Sequence, residues 1–194
     1  MPTYLYCPEW TEFNQRATSR WQAGRRAKGK SVPEVRGSTY STGVRVTDQG
    51  ALGDLRSGDT LYILMHGSPG GEYVSAHYND GRVRWYVPRV LALHIQMEGL
   101  PYEPIRIKMY SCGSGMEVVS ATGAVHESSY ALRLKHELVN LGYRTLSIYG
   151  YKGTALGATY QPIDTSDPNN LFSQHRRAYY GSIFARASLQ RIQV

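Results

Sequence analysis

The hydrophobic pattern centres on two apolar runs, each ending in a turn of small residues. Leu61 to Met65 is unbroken and runs straight into His66-Gly67-Ser68. An unbroken run of this length predicts a central strand covered on both faces. In the second run Ile105, Ile107 and Met109 alternate with Arg106, Lys108 and Tyr110, before Ser111-Cys112-Gly113-Ser114-Gly115. That alternation predicts a half-buried strand, nearer the sheet rim. Between the runs, Pro88 starts a helix that reaches about Glu98 and stops at Gly99, with Leu91, Ile95 and the set Val90, Leu93 and Met97 giving it an apolar side. A second helix spans about Tyr130 to Leu141, capped by Ser128 or Ser129 and ended by Gly142, with a stripe of Ala131, Leu134, Leu138 and Leu141. Tyr143 to Tyr149 then reads as a strand, followed by the turn Gly150-Tyr151-Lys152-Gly153. Strands alternating with helices predict a single α/β domain with a mostly parallel central sheet flanked by helices. Strands 60–65, 105–111 and 143–149 should be parallel neighbours, because helical crossovers separate them.

Outside this core, at 58–153, the pattern is weaker. Residues 1–37 read as an irregular, basic lead-in with a short strand at Thr3 to Cys7. A helix at Glu9 to Gln22 would set Trp10, Phe13, Ala17 and Trp21 on one face, ahead of the run Arg25-Arg26-Ala27-Lys28-Gly29-Lys30. Residues 38–59 are rich in turn formers, with a candidate strand at Val44 to Val46 and a turn at Gly53 to Asp59. Gly67 to Tyr86 reads as a loop and a hairpin turning at Asn79-Asp80-Gly81. Residues 154–194 form a C-terminal loop and last elements, with a strand or helix at Arg177 to Phe184.

Composition narrows the class. The chain has 194 residues, 41% hydrophobic and 19% charged, which suits one folded domain rather than a disordered chain. Two cysteines, Cys7 and Cys112, are too few for a disulfide scaffold, and Cys7 beside Pro8 reads as a small apolar residue. There is no apolar run of about 18 residues, so no transmembrane helix is expected. The start of the chain lacks the charged-then-apolar pattern of a signal peptide, which points to the cytoplasm, or to translocation or secretion by a signal-less route. A net charge of +7 favours a polyanion as partner.

Cys112 and His66 carry the candidate chemistry. Each follows a strand, and ligands in open α/β sheets collect at the carboxyl ends of strands. Backbone amides in a small-residue turn lower a thiol pKa and can hold an oxyanion. Of the other histidines, His94 and His136 fall on predicted helices and read as ordinary, while His77, His126 and His175 lie in loops. None is spaced with the cysteines as in a zinc site, so no metal is expected.

His-Gly at the end of one strand and Cys at the end of the next resembles the caspase-like (clan CD) cysteine peptidases, over roughly residues 58–153. Within that span, Ala131 to Gly153 is most similar to the self-processing cysteine peptidase domains of bacterial toxins. Ser111 departs from the family, in which a small apolar residue commonly precedes the nucleophile. The resemblance implies a cysteine endopeptidase, a toxin or effector protease, acting on a protein or peptide substrate or on itself. Cys112 would be the nucleophile and His66 its proton-transfer partner. The backbone N–H groups of Gly67 and Cys112 would line the oxyanion hole. Ser111, Gly113, Gly150, Tyr151 and Lys152 would border the substrate pocket. No cofactor is required. Toxin-type relatives are activated by an inositol polyphosphate on a basic patch, for which Arg25, Arg26, Lys28 and Lys30, or Arg176 and Arg177, are candidates. Apart from Glu72, no acidic residue stands in the turns after His66, Cys112 or Tyr149, so an apolar or small residue is expected before the cut.

Two other readings compete. His66-Gly67-Ser68-Pro69-Gly70 also resembles an α/β-hydrolase oxyanion loop. A nucleophile elbow needs small residues two places either side, and neither Cys112 (Tyr110, Ser114) nor Ser114 (Cys112, Met116) satisfies that. A non-catalytic basic binding module rests on charge and the 16 tyrosines alone.

Overall fold

The structure is a computed structural model and describes residues 1–38, 50–68, 71–119, 125–152, 154–156, 177–180, 183–186 and 191–194. In chain order the elements are β1 (Thr3–Cys7), α1 (Glu12–Arg26), β2 (Glu34–Gly37), β3 (Thr60–Leu64), β4 (Val74–His77), β5 (Val83–Tyr86), α2 (Pro88–Met97), β6 (Arg106–Tyr110), β7 (Val118–Val119), β8 (Val125–Glu127), α3 (Tyr130–Asn140), β9 (Ser147–Tyr151), β10 (Thr154–Leu156), β11 (Arg177–Tyr180), β12 (Ile183–Arg186) and β13 (Arg191–Gln193).

A six-stranded sheet in the order β13-β9-β6-β3-β1-β2 forms the centre. All of its pairs are parallel except β13 on β9. The three strands read from the hydrophobic pattern are therefore parallel neighbours. β9 starts later than expected. Tyr143 sits before it, with its ring stacked on Tyr102 and its hydroxyl donating to the Leu100 carbonyl at 2.8 Å. The N-terminal residues are less peripheral than a lead-in. β1 pairs directly with β3, and β2, which the sequence pattern did not mark, forms the sheet edge beyond it.

Alternation along the strands divides the core into two layers. On one face Tyr4, Tyr6, Leu61, Ile63, Met65, Ile107, Met109 and Ile148 pack under α2 and α3. On the other, Leu5, Cys7, Tyr62, Leu64, Tyr110 and Tyr151 pack with Trp21 of α1. The layer arrangement is α/β/α. Trp21 meets Tyr62 and Tyr110 edge-on, at ring-centroid distances of 4.9 and 5.1 Å, and Tyr110 meets Tyr151 at 5.2 Å. Several of the tyrosines are thus core aromatics with geometry preferred by ring quadrupoles.

Helix ends follow the expected chemistry. The Thr11 hydroxyl accepts from the Asn14 N–H, and the Ser129 hydroxyl from the Leu132 N–H. Pro88 opens α2, and Gly99 and Gly142 close α2 and α3 in left-handed conformations, φ +79° and +97°. In α2 only one of the two expected apolar sets is inside. Leu91, Ala92 and Ile95 are buried, whereas Val90, Leu93 and Met97 are exposed. The Asn79-Asp80-Gly81 turn closes the β4–β5 hairpin, with Gly81 at φ +84°. Within the expected strand or helix at Arg177 to Phe184, the described residues fall in β11 (Arg177–Tyr180) and β12 (Ile183–Arg186), which pair antiparallel. The candidate strand Val44 to Val46, His175 and Arg176 lie outside the described residues. Among the described residues no helix is long and apolar enough to cross a membrane.

Candidate functional site

The site forms where β3 and β6 end side by side. Their ladder runs from Thr60↔Arg106 to Leu64↔Tyr110. His66 and Cys112 each stand two residues beyond the last pair of that ladder. The turns that follow abut. A Cβ built on Gly67 would lie 2.7 Å from the Cys112 carbonyl oxygen and 2.9 Å from Ser111 Oγ. Only glycine permits that approach of one strand end to the other.

His66 is held by a short bridge. Its N–H donates to the Ser75 carbonyl and its carbonyl accepts from the Ser75 N–H, both at 2.8 Å. Its imidazole follows Tyr62 and Leu64 onto the α1 face, where the Phe13 ring lies 4.1 Å away between centroids. The His77 ring lies 4.5 Å from it as well. Nε2 of His66 is buried and makes no hydrogen bond among the described residues. Burial, with a smaller contribution from His77, lowers its pKa. A neutral imidazole is thereby favoured near neutral pH, which suits a proton acceptor.

The cysteine turn is built from short-range hydrogen bonds. The Ser111 N–H donates to the Met109 carbonyl at 2.9 Å, and Gly113 turns the chain at φ +62°. Cys112 is half-buried, whereas Cys7 is fully buried, and burial drives the Cys7 thiol pKa up. Neither is in a disulfide. Cys7 is thus an inert core thiol, as a position beneath α1 dictates.

Ser114 anchors the turn from inside. It is 1% exposed, and its hydroxyl donates toward the Met109 and Ser111 carbonyls, at 2.8 and 3.0 Å, while accepting from the Tyr151 N–H at 3.1 Å. A hydroxyl so committed is poorly placed to attack a substrate, which weighs against an elbow nucleophile there. Gly115 and Gly150 then bring two backbones into contact. A Cβ on Gly150 would lie 2.5 Å from the Gly115 Cα, and the Gly115 N–H donates to the Tyr151 carbonyl at 3.0 Å.

The expected substrate-pocket residues therefore divide. Ser111 is 2% exposed, and its Oγ faces Gly67 without a hydrogen bond among the described residues. Gly113 is a turn residue beside Cys112, whereas Gly150, expected in a turn, lies within β9, paired with Ile192 and against Gly115. The Tyr151 ring belongs to the aromatic core under α1, and Lys152 is exposed. Of the basic run, Arg25 is tied to Ser31, with Nε donating to its carbonyl at 2.8 Å.

Two buried carboxylates were not singled out by sequence reasoning. Glu9, just beyond β1, is 1% exposed. It accepts from Tyr78 Oη at 2.5 Å and from Tyr86 Oη, and pairs with Arg84 Nη1 at 2.7 Å. Burial first, then the Glu9 bond, pushes the Tyr78 hydroxyl up to about 12 and raises that of Tyr86, so both stay protonated donors. Glu98, the C-cap of α2, accepts from Ser38 Oγ at 2.5 Å and the Ala51 N–H at 3.0 Å. A glutamate followed by Trp10-Thr11 gave no such signal, because its partners are 69 to 77 residues away. Among the described residues no group of three or more His, Cys, Asp or Glu is arranged to hold a metal ion. No protein-family model, no curated protein and no solved structure matches this chain.

Proposed function

We propose that the protein is a cysteine endopeptidase of caspase-like type, with Cys112 as nucleophile and His66 as its proton-transfer partner. The observation that carries this reading is the meeting of the two strand ends, Gly67 against the Cys112 carbonyl. His66 takes the Cys112 thiol proton as the sulfur attacks the carbonyl carbon of a peptide bond. The tetrahedral oxyanion is held by the backbone N–H groups of Gly67 and Cys112, and collapses to a thioester as His66 protonates the leaving amine. Water then hydrolyses the thioester, with His66 accepting its proton. The neutral, partly buried imidazole supports that role, and the half-exposed thiol on a glycine-rich turn supports the nucleophile.

The Glu9 carboxylate is already satisfied by two hydroxyls and a guanidinium, so it offers little charge to a basic substrate. This supports an apolar or small residue before the cut. The substrate is a protein, or this chain itself, and an inositol polyphosphate or similar polyanion is a candidate activator.

The test is thiol reactivity followed by mutation. Iodoacetamide at neutral pH should label Cys112 and leave Cys7 unmodified in the folded protein. Cys112→Ala and His66→Ala should each abolish peptide or self cleavage, and the double variant should be little worse than either, because the two act as a unit. Full cleavage by folded Cys112→Ala would end the reading.

A further inference from the structure

The β4–β5 hairpin carries the wrong residues on its outward face. Pairing is antiparallel, with Ser75 opposite Trp85 and His77 opposite Val83. Side chains of directly opposed residues share a face, and alternate residues along a strand do too. Val74, Ala76 and Tyr86 therefore point one way, into the core. The other face carries Tyr73, Ser75 and His77 from one side, and Val83, Trp85 and Val87 from the other. A hairpin with one face on the core ordinarily presents polar residues outward. Here Trp85 is 53% exposed and Tyr73 is 42% exposed, and Val83 and Val87 are exposed as well.

This face is continuous with the candidate active site. Tyr73 and Trp85 meet edge-on with ring centroids 4.4 Å apart, Trp85 lies 6.3 Å from His77, His77 lies 4.5 Å from His66, and His66 lies 4.1 Å from Phe13. Rings therefore run without a break from the hairpin surface to the imidazole and on to α1, where Phe13 is itself exposed. The bridge between His66 and Ser75 locks the strip in register with the strand that bears His66. Among the described residues β5 pairs only with β4, so its second edge offers alternate backbone N–H and C=O groups beside the rings. The outward groups are those of Val83 and Trp85, because Ser75 turns its own N–H and C=O to His66 and opposes Trp85 without exchanging hydrogen bonds.

We propose that the outward face of this hairpin is the substrate-docking surface, and that its occupant is an extended polypeptide presenting an aromatic or large aliphatic side chain beside the scissile bond. Exposed apolar strips of this kind mark interaction sites. Rigid aromatic side chains supply contact area at low entropic cost, and a strand edge adds backbone hydrogen bonds. A small apolar ligand would use the rings but not the edge. The identity of the occupant as substrate rests on the cysteine peptidase reading. The surface itself does not.

The experiment uses the full chain carrying Cys112→Ala, so that bound peptide is not consumed. Its probe is a blocked heptapeptide alternating serine with leucine or phenylalanine, compared with the same peptide carrying threonine at each apolar position. The apolar peptide should bind and the threonine peptide should bind at least about tenfold more weakly. Adding Trp85→Ala should weaken the apolar peptide by about tenfold or more, and Tyr73→Ala should act in the same direction. Both side chains are exposed, so melting should be unchanged and loss of binding will not reflect unfolding. Equal binding by the Trp85→Ala protein and its parent would overturn the proposal. So would a concentration-dependent dimer abolished by Trp85→Ala in a protein that binds neither peptide. Iodoacetamide labelling of the unmutated protein reads the peptidase separately: Trp85-dependent peptide binding with an unreactive Cys112 leaves the docking surface standing and removes the peptidase.

Discussion

Gly67 and Cys112 touch across the ends of two adjacent parallel strands, with room for a hydrogen but not a methyl group between the Gly67 Cα and the Cys112 carbonyl. Gly67→Ala would place its Cβ against that carbonyl and against Ser111 Oγ and Cβ, which are buried backbone and side-chain atoms with little room to move. Overpacking of this kind costs about 1–3 kcal/mol. For a domain of this size that lowers Tm by about 2–12 °C. The strain falls on the Cys112 turn, so the rate of Cys112 alkylation should change as well. A Gly67→Ala protein with unaltered melting and alkylation would mean that the two turns do not abut.

Ser114→Ala separates a structural serine from a nucleophilic one. Its hydroxyl joins the end of β6 to Tyr151 of β9. Removing it leaves the Tyr151 N–H without that buried acceptor, at a cost of about 1–3 kcal/mol, so Tm should fall by about 2–12 °C. Hydrolysis should decline only to the extent that the turn loosens. Unchanged melting with complete loss of hydrolysis would instead favour Ser114 as the reacting group.

The central strands were legible because burial on both faces writes itself into the sequence. Leu61 to Met65 has no polar residue, and it lies in the middle of the sheet. His66 and Cys112 were legible because each interrupts a strand pattern at a small-residue turn. β2 was not legible. Glu34-Val35-Arg36-Gly37 is an edge strand with one apolar residue, and Arg36 is held by Glu34 and Asp54 rather than by the core. The docking face was invisible for another reason. Tyr73, Val83, Trp85 and Val87 read as ordinary hairpin residues until pairing shows which of them face outward. Tyr151 misled because a turn residue after a strand is a natural pocket candidate, whereas the Gly115–Gly150 contact leaves its ring in the core.

Acid should destabilise the fold between neutrality and about pH 5. His66 and His94 both have pKa values lowered by burial, opposed for His94 by the charge of Glu98. In the unfolded chain each takes up a proton near pH 6.5, while the native state resists it, so stability rises with pH through that window and levels off above it. The depressed carboxylate of Asp54, held down chiefly by its hydrogen bond to Arg36, acts in the same sense but only below about pH 4. Tm measured at pH 5, 6, 7 and 8 should therefore rise and then flatten, and His66→Gln should reduce the slope. A Tm that is constant or higher at pH 5 would contradict the burial of both imidazoles.

Glu9 fastens the hairpin to the sheet. Its carboxylate takes the Tyr78 and Tyr86 hydroxyls and the Arg84 guanidinium, all from the hairpin segment, while its own carbonyl accepts from Asn14 Nδ2 of α1 at 2.7 Å. Glu9→Ala would leave the buried Tyr86 hydroxyl without its acceptor. Removing one partner of a buried ion pair costs about 3–5 kcal/mol. Arg84 is more than half exposed and will recover water, so the expected loss is nearer about 2–4 kcal/mol. Tm should then fall by roughly 4–16 °C. Tyr86→Phe removes one donor and leaves the carboxylate its other two, so it should cost only about 1 kcal/mol. In the double variant the two losses should be distinctly non-additive, since they share one hydrogen bond. Because the hairpin also carries His77 and Trp85 beside His66, Glu9→Ala should speed amide hydrogen exchange across residues 74–86 more than across β3 and β6. Uniform acceleration over the whole sheet would show that Glu9 supports the fold at large and does not set the position of the hairpin.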